Sequence, residues 1–363
     1  MRSLLPIVLL LACTCAPAQW KNAEPGCRFS FPRDHGAHPE FKTEWLYFTG
    51  NVEDSESNRF GFELVFFRHG ILPPGERAKY KSRFIVGDLY FAHFTITDVP
   101  HKQFHFARKQ SRGAFGEAGF SRHGQLAWID DWNVTLADDG IFHISASAPA
   151  FGLHMQLRPE KSPVVHGRNG ASRKGVSEGA ASHYVSITSM EAKGNIRVNG
   201  REKEVHGLAW LDHEWFTNQL EKDQVGWDWF SLQFGDGTEL MLYQLRQRSG
   251  TAAFSPAGTF IDAQGNASGL EPADIVLKPG RTWASTQTRG TYPVEWEIEV
   301  KPLNLRLRVT TQVPDQELVL EPTVYWEGAV DAQGSRDGVP VQGRGYMEMT
   351  GYASEFNVLQ RGQ

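Results

Sequence analysis

The sequence predicts an all-β protein in which one β unit is used twice. Three observations carry this. Short runs rich in aromatic and β-branched residues recur along the chain, separated by clusters of Gly, Pro, Asn and Asp. That composition and spacing belong to strands and tight turns in sandwiches and barrels. No stretch of ten or more residues carries a helical period. Finally, blocks of residues recur in the same order in both halves of the chain.

Taken in order, the 363 residues begin with a removable segment. Residues 1–18 hold one charge, Arg2, then an apolar run from Leu4 to Ala12 and the small pair Ala16 and Ala18. This is the pattern of a secretory signal peptide, too short to span a membrane as a helix. The mature chain is expected to start at Gln19 and to be periplasmic or secreted. The alternative is a lipoprotein anchored at Cys13. No later apolar run approaches the roughly 20 residues of a spanning helix. Cys13 and Cys15 leave with the signal, so Cys27 is the one thiol left and no internal disulfide is expected. The formal charge of −5 becomes −6 once Arg2 is gone, which argues against a nucleic-acid partner.

Residues 23–40, with Pro25, Pro32, Pro39, His35 and His38, read as a strap across the fold. Residues 44–68 read as a hairpin, EWLYFTGNV and RFGFELVFFR joined by DSESN. Residues 71–81 contain Pro73-Pro74-Gly75 and form a loop with room for a short helix. Strands are expected at 88–98, 125–136, 141–146 and 152–158. Residues 164–182, rich in Gly, Ser and Arg, are expected to be a long mobile loop. A hairpin of 183–191 and 195–204 leads into the densest stretch of the chain, residues 205–246.

That stretch holds four of the eleven tryptophans, Trp210, Trp215, Trp227 and Trp229, among Asp212, His213, Glu214 and Asp228. On a strand, alternate residues face opposite sides. Trp210, Asp212 and Glu214 would share one face, and Leu211, His213 and Trp215 the other. The repeat meets here. Glu44-Trp45-Leu46-Tyr47-Phe48 and the following GFELVFFR match Asp228-Trp229-Phe230-Ser231-Leu232 and DGTELMLYQLR, which includes Tyr243. Likewise VHGLAWLD, ending at Asp212, matches VQGRGYME, ending at Glu348. The expected division is 19–218 and 219–363, with the last strand of the first copy handing over to the first strand of the second.

The blocks EWLYFTGNV…GFELVFFR, HGLAWLDHEW…GWDWFSLQFGDGTELMLYQLR, YPVEWEIEV and YWEGAV…GYMEMTGY together resemble the AttH-like family. The family is related to the carotenoid 1,2-hydratases and is often labelled secreted hydrolase. The resemblance runs from about His35 to Tyr352. It implies two packed lipocalin-like antiparallel β-barrels arising by duplication, an apolar or isoprenoid-like ligand, and for some members an association with transporter components. In the hydratase branch, acidic, His and aromatic residues around the WLDHEW-like block are implicated. They fall here on Asp212, His213, Trp215, Trp227 and Asp228.

Hydrating an isolated double bond needs an acid to protonate one carbon and a base to take a proton from water. A carboxyl with a pKa raised by apolar surroundings suits the first task, and Trp faces stabilise the cation between. The expected catalytic set is Asp212, His213, Glu214 and Asp228, with Asp212 as donor and Asp212 and Asp228 close together. The expected ligand-binding set is Glu44, Trp45, Tyr47, Trp210, Trp215, Trp227, Trp229 and Tyr243; Glu44, Trp45 and Tyr47 would line a barrel interior or mouth, and Trp210, Trp215, Trp227 or Trp229 would wall the acids where the two domains meet. The alternative gives the acids a structural task, accepting hydrogen bonds at the junction, in a carrier or an accessory to a transporter. Neither metal nor other cofactor is expected, since Asp212, His213 and Glu214 cannot converge from one regular strand. A serine hydrolase lacks its G-x-S-x-G, and GAFGEAG at 113–119 precedes no helix.

Overall fold

A computed structural model describes residues 19–82, 84–218, 221, 223–249, 256–320 and 323–354. Residues 1–18, expected to be a signal peptide, lie outside the described residues. Thirteen strands form the first sheet: β1 (Thr43–Glu53), β2 (Arg59–Gly70), β3 (Asp88–Asp98), β4 (Gln103–Ser111), β5 (Ala118–Phe120), β6 (Gln125–Ile129), β7 (Trp132–Leu136), β8 (Phe142–Ser147), β9 (Gly152–Pro159), β10 (Val164–Val165), β11 (Ser172–Arg173), β12 (Ala181–Val198) and β13 (Arg201–Phe216). The second half contributes β14 (Gln224–Phe234), β15 (Glu239–Gln247), β16 (Ala257–Ile261), β17 (Ala267–Leu270), β18 (Ile275–Pro279), β19 (Thr282–Ala284), β20 (Thr291–Pro293), β21 (Glu295–Val300), β22 (Leu305–Thr310), β23 (Glu317–Val319), β24 (Val324–Arg336) and β25 (Val339–Thr350). The longest α-helix among the described residues is one turn, Pro74–Arg77.

The spatial order shows the duplication. The first sheet runs β4-β3-β2-β1-β13-β12-β9-β8-β7-β6-β5. The second runs β17-β16-β15-β14-β25-β24-β22-β21-β18. In each, the first strand of the unit pairs antiparallel with the last, curling the sheet into a nearly closed barrel. The hairpins that close the units also match. Asn199-Gly200 and Asp337-Gly338 all have positive φ, between 51° and 78°. This is the two-residue turn whose twist matches that of paired strands.

Each barrel fills its own interior. Leu46, Phe48, Leu64, Phe66, Phe94, Trp132 and Phe142 pack inside the first. Phe230, Leu232, Leu242, Trp296, Trp326 and Met347 pack inside the second. A third cluster lies between the barrels: Tyr47, Val65, Tyr184 and Trp210 meet Trp229, Met241, Tyr243, Ala329 and Tyr346. Alternation along each strand produces this division, since Leu46 and Phe48 point inward while Tyr47 points to the seam. Both units therefore bury the same face, built from their first two and last two long strands.

Three sequence expectations change. Residues 125–136 are not one strand but the hairpin of β6 and β7, turning where Asp130 takes φ 52°. The hairpin expected around residues 192–194 turns later, at Asn199-Gly200, so β12 runs unbroken for 18 residues. The segment 164–182 is not a mobile loop. It carries β10 and β11, pairs with β12, and buries His166, Ser172 and Lys174. Its Gly content suggested mobility, but the buried polar side chains between those glycines fix it.

The seam is close-packed at Gly61, where an added Cβ would lie 2.7 Å from the Ala329 Cβ and 3.0 Å from the Tyr346 hydroxyl. Gly61→Val is expected to lower stability by about 1–3 kcal/mol, as overpacking does. Chemical denaturation checks this. An unchanged midpoint would mean that the barrels do not press together at this point.

Candidate functional site

The β1–β13 ladder sets Tyr47 directly opposite Asp212, and the β14–β25 ladder sets Trp229 opposite Glu348. All four face the seam, which opens at one end into a pocket. Trp45, Tyr47, Val65, Phe67, Phe91 and His93 line it from the first barrel, with Tyr184, Asp212 and Glu214 behind them. Trp227, Trp229, Tyr243, Leu245, Tyr325 and Glu348 line it from the second, and Lys174 enters from the segment between β11 and β12. The expectation of a ligand space in a barrel interior is thus corrected. The interiors are full, and the aromatic cavity is between the barrels.

Asp212 is buried in the pocket wall. Its Oδ1 accepts the Trp210 indole N–H at 2.6 Å and the Ser186 hydroxyl, and its Oδ2 accepts the Tyr184 hydroxyl at 2.5 Å. Burial raises its pKa to about 7, more than these three donors lower it. An N–H cannot reverse its role, but a hydroxyl can. When Asp212 is protonated the proton therefore belongs on Oδ2, donated to the Tyr184 oxygen. That oxygen also accepts the Trp229 N–H at 2.9 Å. Behind Ser186, His166 Nε2 lies 2.7 Å from the Ser186 hydroxyl and Nδ1 lies 2.8 Å from that of Thr259. Burial depresses His166 to about 3, so it is a neutral link.

Glu348 is the second acid of the pocket. Its Oε2 accepts the Trp227 N–H at 2.9 Å. Burial raises it to about 7, with the Asp212 and Glu214 charges adding to the shift. Glu214 is otherwise engaged, held 3.2 Å from the Lys174 ammonium and receiving the Ser182 hydroxyl. Lys174 is wholly enclosed, its Nζ 4.0 Å from the centre of the Tyr243 ring. Burial opposes its charge, but Glu214 and Tyr243 outweigh this and raise its pKa.

Four expected site residues lie elsewhere. Asp228 falls between Trp227 and Trp229 on one strand, so it faces away from their pocket. Gln244, the Tyr352 hydroxyl and Arg246, 3.2 Å away, hold it inside the second barrel. Glu44, His213 and Trp215 are in a knot under the N-terminal strap. The His38 backbone N–H donates to both Glu44 oxygens at 3.0 Å, His213 Nε2 lies 2.9 Å from Oε1, and Arg68 lies 3.3 Å from Oε2. Trp215 stacks on the His38 ring at 3.7 Å. Burial opposes ionisation of Glu44, but the His213 and His38 hydrogen bonds and the His38 and Arg68 charges hold it well below the usual range. Asp212 and Asp228, expected side by side, face different compartments. Glu44 and Asp228 do share one feature: each takes an arginine from the next strand.

Among the described residues, one set of three His or acidic side chains brings its donor atoms within 4.8 Å of one another, His38, Glu44 and His213. In the present arrangement Glu44 is already surrounded by N–H donors and the Arg68 charge, which oppose a cation.

Sequence reasoning missed Tyr184, Ser186, Lys174 and Glu348 as site members. The signal for Glu348 was present, since the repeat aligns it with Asp212. Two units that bury the same face bring matching positions to one seam.

A family model described as AttH-like matches residues 22–352. The crystal structure of a candidate AttH from Nitrosomonas europaea superposes with a TM-score of 0.82 at 33% identity, covering 92% of this chain and 99% of that one. Kievitone hydratase from Nectria haematococca superposes with a TM-score of 0.71 at 14% identity, covering 93% and 98%, a likeness of fold. By sequence, kievitone hydratase from Fusarium solani subsp. phaseoli is 24% identical over 146 residues. That match spans 39% of this chain and 40% of the relative's length.

The knot at Glu44 can be tested without a substrate. Glu44→Ala leaves the Arg68 guanidinium buried beside Asp88 but without its second carboxylate. The expected loss is about 3–5 kcal/mol in urea denaturation, the cost of breaking a buried pair. A loss under ~1 kcal/mol would mean that the strap is held by its apolar contacts.

Proposed function

The chain belongs to the AttH-like family, and from that premise we propose that it is hydratase-like, adding water across a carbon–carbon double bond of an isoprenoid-like substrate held in the seam pocket. The observation that carries this is the pair Asp212 and Glu348. Both line an aromatic cavity and both have pKa values raised to about 7. Near neutral pH, a pair that titrates together supplies one protonated and one ionised carboxyl. Asp212 protonates one alkene carbon, and the electron pair of the double bond forms the new C–H bond. The adjacent cation lies among Trp45, Trp227, Trp229 and Tyr243, whose ring faces stabilise positive charge. Water adds to it, and Glu348 takes the released proton. Because both acids titrate near 7, that proton returns to Asp212 without a steep step.

One observation favours a second reading. Asp212 accepts hydrogen bonds from three side chains, as a structural acid would. On that reading the protein carries an apolar ligand, or serves a transporter, without chemistry.

The two readings separate on Asp212→Asn. With kievitone or an acyclic isoprenoid alkene as substrate, turnover is expected to fall about 10²–10⁴-fold, the contribution of a general acid. Ligand binding, followed by quenching of the pocket tryptophans, stays. Wild-type turnover should be bell-shaped in pH with its maximum near neutral, since it needs one carboxyl protonated and one ionised. The stability difference has a sign as well. The folded Asp212 resists ionisation, so the variant gains on wild type as pH rises from about 4 to about 7, and the difference then levels off. Binding without any turnover by wild type would leave the carrier reading.

Export is proposed on residues 1–18. Protein recovered from the periplasm or medium is expected to begin at Gln19 by N-terminal sequencing. Acylation at Cys13 in a membrane fraction would overturn this.

A further inference from the structure

Deeper in the seam than the pocket lies a second polar group with no assigned purpose. Strands β2 and β24 face each other across the seam, and two contacts fix how they align. Arg59 pairs with Asp331 at 2.6 Å, and Gly61 presses on Ala329. Alternation then places Glu63, two residues on, against Glu327, two residues back. Both are wholly buried. In the ladders, Thr95 sits opposite Glu63, and Tyr346 sits opposite Ala329, its hydroxyl close to Gly61.

Neither Glu63 oxygen makes a well-formed hydrogen bond, nor do Glu327 Oε2, the Thr95 hydroxyl and the Tyr346 hydroxyl; Thr95 acts on Glu63, and Thr95 and Thr97 on Tyr346, only through contacts outside hydrogen-bond geometry. Five buried oxygens without a well-formed hydrogen bond are a heavy cost, since each has lost its water partners on burial. The two carboxyls do not hydrogen-bond to each other either. The charged neighbours acting on them are acidic: Glu348 on Glu63, and Glu348 and Glu63 on Glu327.

We propose that Glu63 and Glu327 bind a hard, oxygen-preferring cation of the calcium class across the seam, completed by the hydroxyls of Thr95 and Tyr346. The donor set selects this class. Every available atom is oxygen, which suits calcium, with its six to eight oxygen ligands and tolerant geometry. Nitrogen and sulfur donors, which zinc prefers, are absent from this set. The cation supplies the missing positive charge and joins one barrel to the other. It also acts on the pocket. The Tyr47 hydroxyl donates to Glu327 Oε1, and Tyr47 is a pocket wall, so an ionised, cation-bound Glu327 fixes that ring. None of this depends on a hydration reaction.

Terbium(III) is a suitable probe, because bound terbium is excited through nearby tyrosine rings. Full-length mature protein stripped with EDTA is expected to give saturable emission at one terbium per chain, displaced by calcium, and a higher Tm in calcium than in EDTA. The double variant Glu63→Gln, Glu327→Gln keeps the shapes and removes the like charges. It is expected to fold, with a Tm in EDTA no lower than wild type, and to lose both the emission and the calcium response. Tyr346→Phe, a gentler change, should weaken terbium binding about tenfold or more, and serves if the double variant fails to fold. Equal wild-type Tm in calcium and EDTA without stoichiometric emission would overturn the proposal and leave buried water between protonated acids. Emission that persists in the double variant, or a Tyr346→Phe affinity equal to wild type, would overturn it too.

Discussion

Two barrels that fill their own interiors have only their outer faces left to bury against each other, and here those faces are not simply apolar. The first offers Tyr47, Glu63, Thr95, Trp210 and Asp212, and the second Trp229, Glu327, Tyr346 and Glu348. Packing them together removes carboxyl groups from water with few cationic partners. That desolvation is the constraint from which the pocket's chemistry follows. It raises Asp212 and Glu348 into the range where a carboxyl can be either donor or acceptor. It also leaves the inner part of the seam with oxygens that demand a partner.

The contrast with the other acids is instructive because the residue types are the same. Glu44 and Asp228 are as buried as Asp212, but each has an arginine beside it. At Glu44 the hydrogen bonds of His213 and His38, with the charges of His38 and Arg68, outweigh burial, and the carboxylate pins the strap to β1 and β13. At Asp228 burial still raises the pKa against the pull of Arg246. Between Asp212 and Arg68 the difference is a matter of strand face, not of distance along the chain. The β13 residues 212 and 213 are neighbours in sequence, yet one faces the pocket and the other the knot.

Lys174 and His166 show how much a Gly-rich segment can contribute. Both come from residues 164–182, which bind along β12 and enter the seam from its edge. Lys174 neutralises Glu214, which leaves Asp212 and Glu348 as the uncompensated pair. His166, held neutral, passes a hydrogen bond from Thr259 of the second barrel through Ser186 to Asp212 of the first. The site is therefore assembled from both halves of the chain and from the segment that looked least ordered.

Fold class, duplication and the faces of each strand were legible in the amino-acid sequence. Those are local properties, set by period, by turn residues such as Asn199-Gly200 and Asp337-Gly338, and by the order of repeated blocks. It also determined that Asp212 and Trp210 share a face that His213 does not. It contained the reason for excluding Asp228, since a residue between Trp227 and Trp229 cannot join them, and it aligned Asp212 with Glu348. Which faces meet was not legible there, because it is set by the packing of one barrel on the other. An arginine reaches Glu44 or Asp228 from the next strand, but the second acid in the pocket of Asp212 is Glu348, from a strand more than a hundred residues away. Burial, and so the pKa of each acid, is a property of that meeting, and no strand carries it alone.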